Sequence, residues 1–89
     1  MPRLSPTDAV VSTLLVETVA EHLGLDGGTL GPDVHLADDL GVDSLALLDL
    51  AMRVEDVFDV WLTDDQTQGV QTVRDLSEAV CEAIARRDA

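Results

Sequence analysis

Asp38-Asp39-Leu40-Gly41-Val42-Asp43-Ser44-Leu45-Ala46-Leu47-Leu48-Asp49-Leu50-Ala51-Met52-Arg53-Val54-Glu55-Asp56-Val57-Phe58 is the stretch from which the rest of the chain can be read. After Asp43 the apolar residues Leu47, Leu50, Ala51, Val54 and Phe58 recur at spacings of three and four, uninterrupted by Gly or Pro, which predicts a helix over roughly 44 to 58. Ser44 stands at its head. Asp43 and Ser44 are both favoured helix caps, so capping alone accounts for the pair. A second reading is chemical: unpaired N–H groups and the positive end of the helix dipole would favour a phosphoester on Ser44.

Upstream lies a long connection, Leu25 to Asp43, containing Gly27, Gly28, Gly31, Pro32 and Gly41. This composition opposes regular structure and predicts a loop, with Leu30, Val34, Leu36 and Leu40 as possible anchors on a core. Unstructured connections of this length are uncommon in small domains and are often functional. Before it, Ser5-Pro6-Thr7-Asp8 is a helix start, with Ser5 as cap and Asp8 near the positive end. Val11, Leu15, Val19 and Leu23, with Leu14 beside them, form the apolar face of this first helix, Glu17 and Glu21 face water, and Gly24 ends it.

Downstream, Val60 and Leu62 alternate with Asp59, Trp61 and Thr63, which predicts a short extended link with the aliphatic residues inward and Trp61 outward. Thr63-Asp64-Asp65 caps a brief helical turn reaching Gly69. Thr72-Val73-Arg74-Asp75 resembles a capping box with Asp in place of Glu, and Leu76, Val80, Ala83 and Ile84 line one face of the last helix. Arg86 and Arg87 supply positive charge at its negative end. The expected fold is all-α: a small bundle of three main helices and one short one, with a long first loop. The 89 residues form a single domain with its core over about 5 to 86.

Eighteen acidic residues face five arginines and no lysine, and the net charge of -13 would repel nucleic acid and anionic membrane surfaces. Basic protein surfaces are the expected partners. The single Cys81 excludes an internal disulfide and a CxxC pair and reads as a core or boundary thiol. No apolar run approaches a membrane span, and the first residues lack the apolar stretch of a signal peptide, so a cytoplasmic protein is expected. Neither HExxH spacing nor an EF-hand loop is present. Asp38, Asp39 and Asp43 read as a solvated acidic surface that could collect a divalent cation only loosely, and no metal site is assigned.

The segment Asp38 to Leu45 resembles the phosphopantetheine attachment motif of acyl carrier proteins, with Asp43-Ser44-Leu45 after the pair Leu40-Gly41. Leu23-Gly24-Leu25, Phe58, Thr63-Asp64-Asp65 and Val70-Gln71-Thr72-Val73-Arg74-Asp75-Leu76 also occupy the spacing of that family, so the resemblance spans Ser5 to about Arg86. It implies that the Ser44 hydroxyl receives 4'-phosphopantetheine from coenzyme A through a separate phosphopantetheinyl transferase, with Asp43 and Leu45 flanking the attachment. The thiol of that arm would hold acyl groups as thioesters, while other enzymes perform the bond chemistry. Two features independently argue against an autonomous serine hydrolase. Both histidines, His22 and His35, precede Ser44, and Ala46 stands where a G-x-S-x-G elbow requires glycine.

Leu45, Leu48 and Met52 form an apolar ridge on the second long helix, bordered by Asp49, Glu55 and Asp56. In the resembling family this helix docks onto basic patches of transferases, ketosynthases and related enzymes, so these six are the recognition candidates, with an acyltransferase or acyl ligase as a further partner. The protein is expected to be a monomer. Ala46 and Val57 depart from acidic residues frequent in the family; with Trp61 they point to polyketide or related specialised biosynthesis before fatty-acid synthesis. An aminoacyl or peptidyl carrier is the alternative within the fold, disfavoured by Val42 where a second glycine is usual. An unmodified acidic interaction module is the alternative from another class.

Overall fold

A computed structural model describes residues 6–88, with side chains from residue 9 to residue 87. The elements run α1 (Pro6–Leu23), a 3-10 turn (Gly27–Thr29), α2 (Leu36–Leu40), α3 (Ser44–Phe58), α4 (Asp64–Gly69) and α5 (Val73–Asp88). Among the described residues there is no strand, only an isolated antiparallel pairing of His35 with Thr72. The capping role expected of Ser5 and the first-turn charge of Asp8 lie outside the described residues and side chains.

The three long helices make the bundle. Leu15 and Val19 of α1, Leu50 and Val54 of α3, and Leu76 and Val80 of α5 are the largest fully buried side chains, two from each helix. Their helical spacing explains why each element folds: alone, a helix of this length is marginal in water, and burial of its apolar stripe stabilises it. Leu14, expected beside that stripe, is instead 38% exposed. One residue back from Leu15 is a turn of about 100°, and the other flank of the face is filled by Val16 and Ala20. Thr18, also buried, satisfies its hydroxyl by donating to the Leu14 carbonyl at 2.8 Å.

The connection expected to be a plain loop holds two short ordered elements. At the first, the Asp26 carboxylate accepts the Gly28 N–H at 2.9 Å and organises the 3-10 turn. At the second, α2, five residues are too few to be helical on local grounds. Tertiary contact supplies what is missing: Leu36 is 2% exposed, and the Leu36 N–H donates to the Gln71 carbonyl at 2.9 Å. The Val73 N–H to Val34 carbonyl (3.1 Å) and Arg74 N–H to Pro32 carbonyl (2.9 Å) bonds extend this seam between the loop and the start of α5. Leu30 is buried, and Val34 and Leu40 pack partly against the core, as expected of anchors. Gly41 ends α2 at φ 71°, and its N–H reaches the carbonyls of Ala37 and Leu36.

Beyond α3 the alternation holds: Val60 is buried, Leu62 half-buried and Trp61 86% exposed. Thr63 and Gln66 form a reciprocal capping box at the head of α4. Thr72 and Asp75 do the same for α5, each accepting the other's N–H at 3.1 Å. Arg86 and Arg87 lie in the last turn of α5, but they also reach across the bundle. Arg86 donates to the Trp61 carbonyl and to Gln66 Oε1, and Arg87 to the carbonyls of Phe58 and Asp59. They tie the end of α3 and the following link to α5.

Candidate functional site

The head of α3 is built by a division of tasks among four consecutive residues. Gly41 supplies the left-handed turn that ends α2. Val42, 6% exposed, plugs into the core while its N–H donates to the Leu36 carbonyl at 2.9 Å. Asp43 is the cap, its carboxylate accepting the Ala46 N–H at 2.8 Å and its carbonyl the Leu47 N–H at 2.8 Å. Ser44 follows as the first helical residue and is exposed. Capping therefore falls to Asp43, and Ser44 stands exposed without serving as the cap. The first N–H groups of any α-helix have no partner within it, and here Asp43 takes that of Ala46.

The ridge expected on α3 is present. Leu45 is 76%, Leu48 53% and Met52 63% exposed, and Asp49 and Asp56 are exposed with them. Glu55 departs from the expected acidic border. It is half-buried, and its Oε2 accepts the Leu62 N–H at 2.9 Å, so it holds the link after α3 in place. Of the two positions read as departures, Ala46 packs partly against the core, whereas Val57 is 37% exposed. Arg53, exposed on α3, adds a positive charge to this helix that the sequence reading passed over.

A cleft of about 260 Å³ has walls that include Val42 and Leu47, which bracket Ser44 in sequence, with His35, Asp38, Val70 and Gln71; Ser44 itself does not line it. His35 and Asp38 come from the long connection and Val70 and Gln71 from the segment between α4 and α5, brought together by the seam. Apart from the family spacing around Val70, no sequence signal marks this cleft, because its walls meet only through tertiary contact. Of the carboxylates nearby, Asp39 accepts the His35 N–H at 2.8 Å and Asp43 is engaged as cap. Among the described residues no group of three His, Cys, Asp or Glu side chains is placed to hold a metal. No described helix is long and apolar enough to cross a membrane.

The protein is a small helical bundle with an exposed serine at the head of α3, bordered by carboxylates and an apolar ridge. Residues 13–80 match the family described as the phosphopantetheine attachment site. The chain is 35% identical over 68 residues to an acyl carrier protein of Syntrophobacter fumaroxidans, covering 76% of this chain and 84% of that one. It is 38% identical over 65 residues to an acyl carrier protein of Solidesulfovibrio magneticus, covering 73% and 83%. Among solved structures it resembles an acyl carrier protein of Thermotoga maritima, with a TM-score of 0.77, 25% identity and coverage of 96% and 99%. An apo doublet acyl carrier protein from prodigiosin biosynthesis is also similar, with a TM-score of 0.73, 26% identity and coverage of 91% of this chain and 39% of that one.

The chain belongs to the acyl carrier protein family. Members are carriers without catalytic activity of their own, and the group they bear is covalently attached 4'-phosphopantetheine. The head of α3 fits such a group: an exposed serine, a cap already made by its neighbour, and helix-end N–H groups that favour a phosphodiester.

Proposed function

We propose that this protein carries acyl intermediates as thioesters on a 4'-phosphopantetheine arm esterified to Ser44, in polyketide or related specialised biosynthesis. The observation that carries the reading is the exposed Ser44 at the first position of α3 while Asp43 makes the cap. When bound, the arm supplies the thiol on which cargo is held. The chain's own residues present it: Gly41 and Val42 set the position of the helix head, Asp43 fixes the first turn, and Leu45 stands exposed beside the attachment point. One carrier domain over about residues 5 to 86, acting as a cytoplasmic monomer, completes this reading.

The partners are a phosphopantetheinyl transferase, an acyltransferase or acyl ligase, and a ketosynthase or related enzyme. Each would meet Leu45, Leu48, Asp49, Met52 and Asp56 through a basic patch. Specialised biosynthesis is favoured over fatty-acid synthesis by the apolar Val57 on the exposed side of α3, by Trp61, and by the likeness to the carrier from prodigiosin biosynthesis.

Incubation with coenzyme A and a broad-specificity phosphopantetheinyl transferase is expected to add one phosphopantetheine to the intact mass. Ser44→Ala should abolish the addition and keep the helical circular dichroism. An unchanged wild-type mass, under conditions that modify a control carrier, would overturn the proposal and leave an unmodified acidic interaction module. Loading assays with acyl and aminoacyl donors then separate the acyl carrier from the aminoacyl or peptidyl one.

A further inference from the structure

Trp61 is the most exposed large apolar side chain described, at 86%, and the only tryptophan of the chain. It sits on a backbone that has little freedom. The Val60 N–H donates to the Glu55 carbonyl at 3.1 Å and the Leu62 N–H to Glu55 Oε2 at 2.9 Å. Arg86 donates to the Trp61 carbonyl itself at 3.1 Å, and the Thr63 N–H to Gln66 Oε1 at 3.0 Å. With Val60 buried and Leu62 half-buried, period-two alternation turns the indole away from the core. The folded chain thus holds its largest apolar side chain in water on a preformed support. A partner that buries it would face little added cost of ordering the backbone, and tryptophan is among the residues that most often dominate binding energy when buried at an interface.

The surroundings select the partner. Asp59, Asp64 and Asp65 lie within four residues of the indole and are all exposed. Arg86 and Arg87 reach the carbonyls of Trp61, Phe58 and Asp59. Against their two charges the three aspartates, with Glu82 held by Gln66, leave an acidic surplus. That surplus complements an apolar slot rimmed by lysine or arginine and disfavours an acidic surface or a second copy of this chain, whose net charge is -13. The α3 helix, 15 residues at a rise of about 1.5 Å each, puts about 20 Å between Ser44 and the end of the helix, so a contact here is separate from the reacting end. We infer that Trp61 is a docking anchor for an enzyme that loads or extends the cargo, inserting into an apolar slot with a basic rim and setting that enzyme's orientation from the end of α3 remote from Ser44. This rests on the carrier reading.

The test uses the full-length protein with 5-fluorotryptophan, which gives one ¹⁹F resonance from its one indole. Intact mass first establishes that the transferase modifies Ser44, so failure of the carrier reading is seen separately. The acyl-loading and chain-extending enzymes of the source organism are then added singly to the modified protein. At least one is expected to shift or broaden the resonance. Trp61→Ala should raise its Kd about tenfold or more, with most of the change in dissociation rate. Trp61→Phe should recover part of the loss, and Asp64→Asn with Asp65→Asn should flatten the salt dependence of association. Melting temperature and transferase rate should stay unchanged in Trp61→Ala. A resonance that no enzyme moves, or unaltered affinities in Trp61→Ala, overturns the inference. So does a resonance that moves with protein concentration alone or on attachment of the arm without any enzyme, since the indole then serves a second copy or the arm.

Discussion

Gly41 and Asp59 both occupy the left-handed region, at φ 71° and 55°, and only one of them is a glycine. A Cβ added at Gly41 would have no heavy atom within 4 Å, so the objection to a side chain there is conformational and not steric. Gly41→Ala is expected to lower stability by about 1–2 kcal/mol in urea unfolding, with Gly41→Asn milder. Asp59→Gly should act in the opposite sense, with a gain of up to about 1 kcal/mol, because the Asp59 carbonyl that receives Arg87 is kept. The Asp75 carboxyl is held below the usual carboxylate range chiefly by the Gln71 N–H, against partial desolvation, with the Thr72 N–H and hydroxyl and the charge of His35 acting in the same direction as Gln71. A lowered folded pKa means that the folded chain binds fewer protons than the unfolded one between the two pKa values. Its contribution is complete above the unfolded value of about 3.9 and is lost as pH falls through the folded one. Asp75→Asn should therefore melt below wild type at neutral pH, and the two curves should converge in acid below that window.

At the scale of the elements, α3 was legible because its stripe of Leu47, Leu50, Ala51, Val54 and Phe58 is long, regular and free of Gly and Pro, and its observed bounds are Ser44–Phe58. The α2 helix was not, since Leu36 to Leu40 lie between glycines and their helical state depends on the Leu36 N–H bond to the Gln71 carbonyl and on burial of Leu36. Ser44 could be singled out from Asp-Ser at a helix head, although the sequence left the choice of cap open. Glu55 could not be understood in this way: its partner is the Leu62 N–H, seven residues on, across a turn whose shape local spacing does not report. The exposed carboxylates of α3 carry a prediction of their own. Charge reversal at Asp49 or Asp56 should lower the kcat/KM of a phosphopantetheinyl transferase more than reversal at Glu17 on α1, and the difference should shrink above about 0.15 M salt, where the Debye length is about 8 Å. Equal losses at all three positions would assign recognition to net charge.

For the whole molecule, a charge of -13 on 89 residues makes the compact state repel itself, so the melting temperature should rise with monovalent salt. Because no group of three His, Cys, Asp or Glu side chains among the described residues is placed to hold a metal, magnesium at matched ionic strength should give the same midpoint as sodium. A higher midpoint in magnesium would reveal specific cation binding, and no response to salt would contradict the repulsion argument. The seam between Pro32–Leu36 and Gln71–Arg74 also bears on the order of assembly. The helices need only local contacts to begin forming, whereas the pairing of His35 with Thr72 closes more than a third of the chain into a loop. Closure entropy of that kind is met only after the segments it joins have begun to organise. Folding should thus complete the platform under Ser44 late, and amide hydrogens of the seam, Leu36 and Val73 among them, should exchange through smaller openings than those of Leu50 or Val80.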